Sequence, residues 1–170
     1  TPLYSSAASD VYKRQALNFT GTQDGTAENN DNVAVGFECA SNLVSGVGNV
    51  LIGTKVMDAA AVGESYNVCV GHEAMGAVDE GNGTADHNVA IGRDALKGGD
   101  MGNNSRTLSG NIAIGSYALD SMGGYGTTGS IAIGYEALSG ISYGAENLAI
   151  GYQAGKALLT EGGCTYIGYK

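Results

Sequence analysis

Asn111-Ile-Ala-Ile-Gly115, followed at once by Ser116-Tyr-Ala-Leu119, is one copy of a phrase that recurs along the chain every 17 to 23 residues. Before it stand Asn32-Val-Ala-Val-Gly36, Asn49-Val-Leu-Ile-Gly53, Asn67-Val-Cys-Val-Gly71 and Asn88-Val-Ala-Ile-Gly92. After it come Ser130-Ile-Ala-Ile-Gly134, Asn147-Leu-Ala-Ile-Gly151 and a worn Cys164-Thr-Tyr-Ile-Gly168. Self-similarity at such a period means stacked units, each able to bury its apolar side only against its neighbours. It turns the functional question from a pocket to an elongated surface.

Each column of the aligned phrases has one character. The residue after the leading Asn is aliphatic (Val33, Val50, Val68, Val89, Ile112, Ile131, Leu148), and the residue before the glycine is always Val or Ile. Between them lies a mostly small column: Ala34, Ala90, Ala113, Ala132 and Ala149. Alternate residues of a strand face opposite ways, and branched residues suit a packed pleat. The pattern therefore predicts a core of Val35, Ile52, Val70, Ile91, Ile114, Ile133, Ile150 and Ile167, with the alanines facing outward where something approaches closely. The strand breaks at glycine, which tolerates a crowded or positive-φ corner. Phrases such as His72-Glu-Ala-Met75 and Tyr135-Glu-Ala-Leu138 then bring a Leu/Met column under the strand as a second core layer, in one helical turn or a second short strand. A Gly, Thr, Ser and Asn-rich loop returns the chain. The expected fold is all-β, a parallel β-solenoid of about eight coils. Its leading Asn32, Asn49, Asn67, Asn88, Asn111 and Asn147 stack about 4.8 Å apart into a structural ladder.

Composition narrows the function. Among 170 residues there are 29 glycines, one proline and no tryptophan, without the Gly-X-Y period of collagen. The net charge of −9 argues against nucleic acid or an anionic membrane as partner. No apolar run approaches the roughly 18 residues of a membrane span, so no membrane insertion by this segment is expected. The three cysteines, at 39, 69 and 164, stand at different repeat positions, form no CxxC pair and give no closed disulfide framework. His72 and His87 likewise share no column, and acidic groups such as Asp79 with Glu80, or Glu28 with Asp31, lack EF-hand or nonapeptide spacing. No Ser/His/Asp set, phosphate loop or dinucleotide turn is present. The sequence thus predicts no catalytic residue, cofactor or metal. Candidate binding features are the two longest return loops, Gly76–His87 and Lys97–Gly110, with Asp79, Asn82, Asn103 and Asn104, and a column of Tyr135, Tyr152 and Tyr169. Insertions in solenoids bulge on one side, often the binding side.

The ends read differently. Residues 1–15 include Ser5 to Gln15, which share nothing with the repeats and resemble translated adapter sequence; 16–27 read as an irregular lead-in, and 28–170 as the solenoid, an internal fragment of a longer protein.

The Asn/Ser-x-Ala-Ile-Gly phrase, its Ala-Leu pair and its Thr/Gly-rich return resemble the head repeats of trimeric autotransporter adhesins (YadA-like heads). The wording is closer still to the related Asn-x-Ala-Ile-Gly-Tyr-x-Ala-Leu repeats of bacteriophage tail fibres, which Tyr135-Glu-Ala-Leu138 and Tyr152-Gln-Ala154 match best. The resemblance covers residues 28–170, with coils longer than the usual adhesin head repeat. It implies left-handed parallel β-rolls, a homotrimer around one axis and attachment to a cell-surface glycan or protein receptor, on a virion tail fibre or a bacterial outer surface. The alanine column is then what three closely packed chains require, with Leu51 and Tyr166 departing from it. The alternative is a monomeric β-solenoid that binds polysaccharide or ice through a repetitive face. An acyltransferase on a left-handed β-helix is disfavoured, because the six-residue aliphatic period is absent.

Overall fold

The computed structural model describes residues 31–43, 46–60, 63–78, 84–98, 107–121 and 126–170. The leader at 1–15 and the lead-in at 16–27 lie outside the described residues.

Ten three-residue strands carry the fold: β1 (Val33–Val35), β2 (Val50–Ile52), β3 (Val68–Val70), β4 (Thr84–Asp86), β5 (Val89–Ile91), β6 (Thr107–Ser109), β7 (Ile112–Ile114), β8 (Ile131–Ile133), β9 (Leu148–Ile150) and β10 (Thr165–Ile167). Eight of them, one per phrase, form a single parallel sheet in the order β1-β2-β3-β5-β7-β8-β9-β10. Every pairing is in register with the repeat: Val89 lies against Ile112, Ala90 against Ala113, Ile91 against Ile114. A second sheet of β4 and β6 is also parallel, and an isolated bridge from Ser109 to Thr128 carries it one rung further. This is a parallel β-solenoid, with no helix among the described residues.

The strand faces are the reverse of the sequence expectation. Leu51, Cys69, Ala90, Ala113, Ala132 and Ala149 are fully buried, whereas the expected core residues Val35, Ile52, Ile91, Ile150 and Ile167 are exposed and Val70, Ile114 and Ile133 are half-buried. The cause is the narrow cross-section of one coil. Opposite each strand, the phrase after the glycine sends Met57, Met75, Leu96, Leu119 and Leu138 into the same interior, all fully buried. Interiors fill to the density of organic crystals, so the residue facing a Leu or Met is small. The alanines are therefore the inner wall and do not face outward toward partner chains.

That inner Leu/Met layer rests on neither a helical turn nor a strand. Two alternating positions of the phrase are left-handed: Glu73 and Met75 (φ 54° and 50°), Asp94 and Leu96 (54° and 49°), Glu136 and Leu138 (52° and 52°). The left-handed conformer costs an L-residue roughly 1–2 kcal/mol. The alternation turns successive backbone groups along the rod axis, where neighbouring coils satisfy them. Asp94 N donates to His72 O at 2.9 Å on one side and Leu96 N to Ala118 O at 2.9 Å on the other.

Gly36, Gly53, Gly71, Gly92, Gly115, Gly134, Gly151 and Gly168 make the corner with φ between 132° and 144°. A Cβ on Gly53 would lie 1.8 Å from the carbonyl oxygen of Gly71, and on Gly134 2.3 Å from that of Gly151. From Gly36 to Gly151 no side chain fits at this corner.

The leading Asn column is a closed ladder. Asn88 donates from its backbone N (2.9 Å) and Nδ2 (3.1 Å) to Asn67 Oδ1, and Asn111 does the same to Asn88 Oδ1, at 3.0 Å each. The other Nδ2 hydrogen crosses the coil: Asn49 to Glu64 O, Asn67 to Ala85 O, Asn88 to Leu108 O and Asn111 to Thr127 O, each at 2.7–2.8 Å. The fully buried amides thus spend their donors and acceptors within the stack, tying the two sheets together. At Ser130 the rung is shorter. Its N still bonds Asn111 Oδ1 at 3.0 Å, but its hydroxyl reaches only the backbone N of Asn147, at 3.2 Å, on the next rung and shares a 3.3 Å hydrogen bond with the Thr127 hydroxyl within its own coil.

Candidate functional surface

The outer face of the eight-stranded sheet carries two parallel rows, one on each side of the buried alanines. Fifteen of its sixteen side chains are Val, Ile or Leu; Thr165 is the exception. At strand spacing, eight strands extend the rows by about 34 Å, with the two rows about 7 Å apart. Val33 is 50% exposed, Val35 56% and Ile167 73%, and the rest are exposed or half-buried. No charge interrupts the rows, on a chain whose net charge is −9. Monomeric soluble proteins rarely show contiguous apolar patches above a few hundred Å².

Around the glycine corner lies an aromatic stack. Tyr135 and Tyr152 stand 5.3 Å apart with planes 13° from parallel, and Tyr152 and Tyr169 5.3 Å apart at 9°. Tyr117 meets Tyr135 edge-on at 5.9 Å, and the Arg93 guanidinium sits 5.6 Å from the Tyr117 ring centre. Stacked rings cover one another's faces, so this column offers edges and hydroxyls to solvent, and its geometry is that of a self-stabilising ladder more than of a flat platform.

On the same phrase, charges pair between coils. Lys97 Nζ lies 2.5 Å from Glu73 Oε2 and 2.9 Å from Asp94 Oδ1, and Lys156 Nζ 2.5 Å from Glu136 Oε2. Burial raises the Asp94 pKa, but hydrogen bonds and charge from Lys97 and Arg93 outweigh it and hold the carboxyl below its usual range. The hydrogen bonds from Glu73 and Asp94 raise Lys97 in turn. His72, Glu73 and Asp94 bring ligand-type atoms within 4.8 Å of one another. The Lys97 ammonium already supplies the cation that this cluster would attract. The buried cysteines are poor nucleophiles: desolvation pushes the Cys39 thiol up to about 11 and raises Cys69 further.

Of the sequence-derived candidates, the Asn ladder is interior and the tyrosines are brought together at the surface. Asp79, Asn82, Asn103 and Asn104 lie outside the described residues. Sequence reasoning missed the second sheet. The ends of the two longest return loops are β4 and β6, which point Ala85 and Leu108 inward and Thr84, Asp86, Thr107 and Ser109 outward. The available signal was small-residue alternation (Thr-Ala-Asp, Thr-Leu-Ser) just before the Asn.

From Thr107 onward this second face is hollowed into a groove of about 570 Å³ lined by Thr107, Gly126, Thr128, Tyr143, Glu146 and Thr160 among others. No family model, curated protein or solved structure matches the chain. No helix among the described residues is long and apolar enough to cross a membrane.

Proposed function

We propose that this chain is a non-enzymatic attachment module, a stretch of the shaft or head of a trimeric phage tail fibre or bacterial surface adhesin that works outside the cell. The observation that carries the reading is the uncharged double row of Val and Ile on the outer sheet face. Three copies that turn these rows toward a common axis remove them from water together. At about 25 cal/mol per Å² of apolar surface, a strip of this length supplies a large driving force. Elsewhere the chains are acidic and repel, which leaves this face as the place where copies meet. The attachment role rests on the resemblance of the repeats to those of fibres and adhesins, and on a rod geometry suited to holding a receptor-binding end away from a surface.

Sedimentation equilibrium tests the packing. The intact chain is expected at three times the monomer mass, and Ile114→Asp with Ile91→Asp at the monomer mass with its β-sheet circular dichroism retained. A wild-type chain that stays monomeric at micromolar concentration would sink the reading.

The outward hydroxyls of Thr84, Thr107, Ser109 and Thr128 favour a second reading, a monomeric solenoid binding ice or polysaccharide through that face. Thermal hysteresis from a monomeric wild-type chain would establish the ice version.

A further inference from the structure

We infer that the groove on the second face, around the asparagine corner from the apolar rows, is a binding site for a short neutral oligosaccharide. It runs along the rod over four successive rungs, from Thr107 to Thr160, or about 14 Å at strand spacing. Its shape follows from side chains lost down the columns. Ser109 and Thr128 on one column give way to Ala145 and Gly162, and Gly126 takes the place that Thr107 holds one rung earlier and Tyr143 one rung later. Gly126 is obligatory, because a Cβ there would lie 2.5 Å from the carbonyl oxygen of Thr107. A notch is therefore built into the wall between a threonine and an aromatic ring.

The groups around the notch suit a sugar. Tyr143 is 58% exposed and offers a flat ring to the C–H face of a pyranose. Glu146 is exposed, held left-handed at φ 61°, and makes no ion pair among the described residues. Its carboxylate can accept from two vicinal hydroxyls, and Thr107, Thr128 and Thr160 both donate and accept. An aromatic face with a few convergent polar groups is what orients a small ligand.

Other ligand classes fit less well. No Lys or Arg lines the groove among the described residues, and Glu146 on a chain of net charge −9 repels phosphate, sulfated glycans and nucleic acid. An extended peptide adds to a sheet through unpaired backbone groups. Here those groups are used between coils: Gly129 N bonds Ser109 O at 3.1 Å, Glu146 N bonds Thr128 O at 2.9 Å and Gly163 N bonds Ala145 O at 2.9 Å. What remains for a ligand is side-chain hydroxyl, carboxylate and ring. The site sharpens the attachment reading by naming a ligand class, but it lies within one chain and does not depend on three-chain packing.

Saturation-transfer NMR on the intact chain tests it, with a panel of neutral hexose and N-acetylhexosamine disaccharides to tetrasaccharides as probes. At least one is expected to receive saturation on its ring protons and to bind with a millimolar or tighter Kd. Tyr143→Ala should weaken that binding tenfold or more, Tyr143→Phe should keep most of it, and Glu146→Gln should weaken it several-fold. These exposed positions should leave the melting temperature unchanged, so loss of binding reports the groove. Transfer to no member of the panel overturns the inference, as does binding indifferent to both Tyr143→Ala and Glu146→Gln, or a groove that takes only sulfated glycans or peptides. A monomeric chain that still binds sugar would defeat the packing reading and leave the groove standing, whereas a trimer that binds none of the panel would do the opposite.

Discussion

Along Ile112–Ile114, Ala113 is fully buried while the isoleucines on either side remain half in solvent, although each carries far more apolar surface. The inner side of the sheet is limited by volume and the outer side by what comes to cover it. Inside one coil an alanine faces a leucine or methionine across a narrow gap, and nothing larger is free to enter. Outside, branched residues line up without restriction. Hydrophobicity alone ranks these columns wrongly, because burial here is decided by the width of the coil.

Adjacent substitutions of the same kind break this comparison most sharply. Ala113→Asp places an unpaired charge in a dry interior and is expected to cost more than about 4 kcal/mol, enough to unfold the rod. Ile114→Asp, one residue on, should leave the far-UV spectrum intact and change only the sedimentation mass. Equal thermal destabilisation of the two variants would contradict the assignment of faces. Next in size, Asn88→Leu takes their side-chain partner from Leu108 O and from the backbone N and one Nδ2 hydrogen of Asn111, while Asn67 Oδ1 keeps the backbone N of residue 88. Each buried polar group so stranded costs about 1–3 kcal/mol, so a total near 3 kcal/mol should appear as a lowered denaturant midpoint. Asn88→Ser, copying Ser130, should recover part of it.

A smaller effect probes backbone handedness. Leu96→Ile keeps the atoms but puts a β-branched residue at φ 49°; about 1–2 kcal/mol should be lost, while Ile114→Leu on the outer face should change stability little. Smallest is the Lys97 bridge, partly exposed and worth at most about 1 kcal/mol. Asp94 is depressed in the fold, so its contribution is present above its ordinary 3.8 and fades as pH falls through the lowered value. Lys97 is raised, so its contribution is present below 10.5 and fades as pH rises beyond it. Lys97→Met should flatten both limbs of a plot of melting temperature against pH; an unchanged profile would show that the bridge contributes nothing.

The solenoid was legible because its strongest signals, the Asn and the corner glycine, are fixed by contacts with the same atom type one rung away: amide to amide, and glycine Cα under glycine carbonyl. The orientation of the strand was not, since Val-Ala-Ile reads equally well in either direction until the width of the coil is known. The left-handed positions carried a faint signal. Ala40, Met57, Met75, Leu96, Leu119 and Leu138 include no Val, Ile or Thr, although the strands beside them use Val and Ile freely. Chirality sorts the aliphatic residues here: branched at Cβ where φ is negative, branched later or not at all where it is positive. The groove was illegible because it is made by side chains that are missing, and absence marks no pattern within a single repeat.

The corner glycines also act as a ruler. Because from Gly36 to Gly151 a backbone carbonyl of the next coil occupies the place where each missing Cβ would stand, the gap between rungs is set by bare backbone and cannot be adjusted by changing a side chain. Spacings of 17 to 23 residues between successive phrases are absorbed in the return segments, and the sheet keeps one register throughout. Reach therefore comes in whole increments: duplicating or deleting one repeat changes it by a rung of about 4.8 Å, and the new rung meets the same backbone above and below that the old one did. A lineage can retune how far such a rod extends by copy number alone, without re-solving its interior.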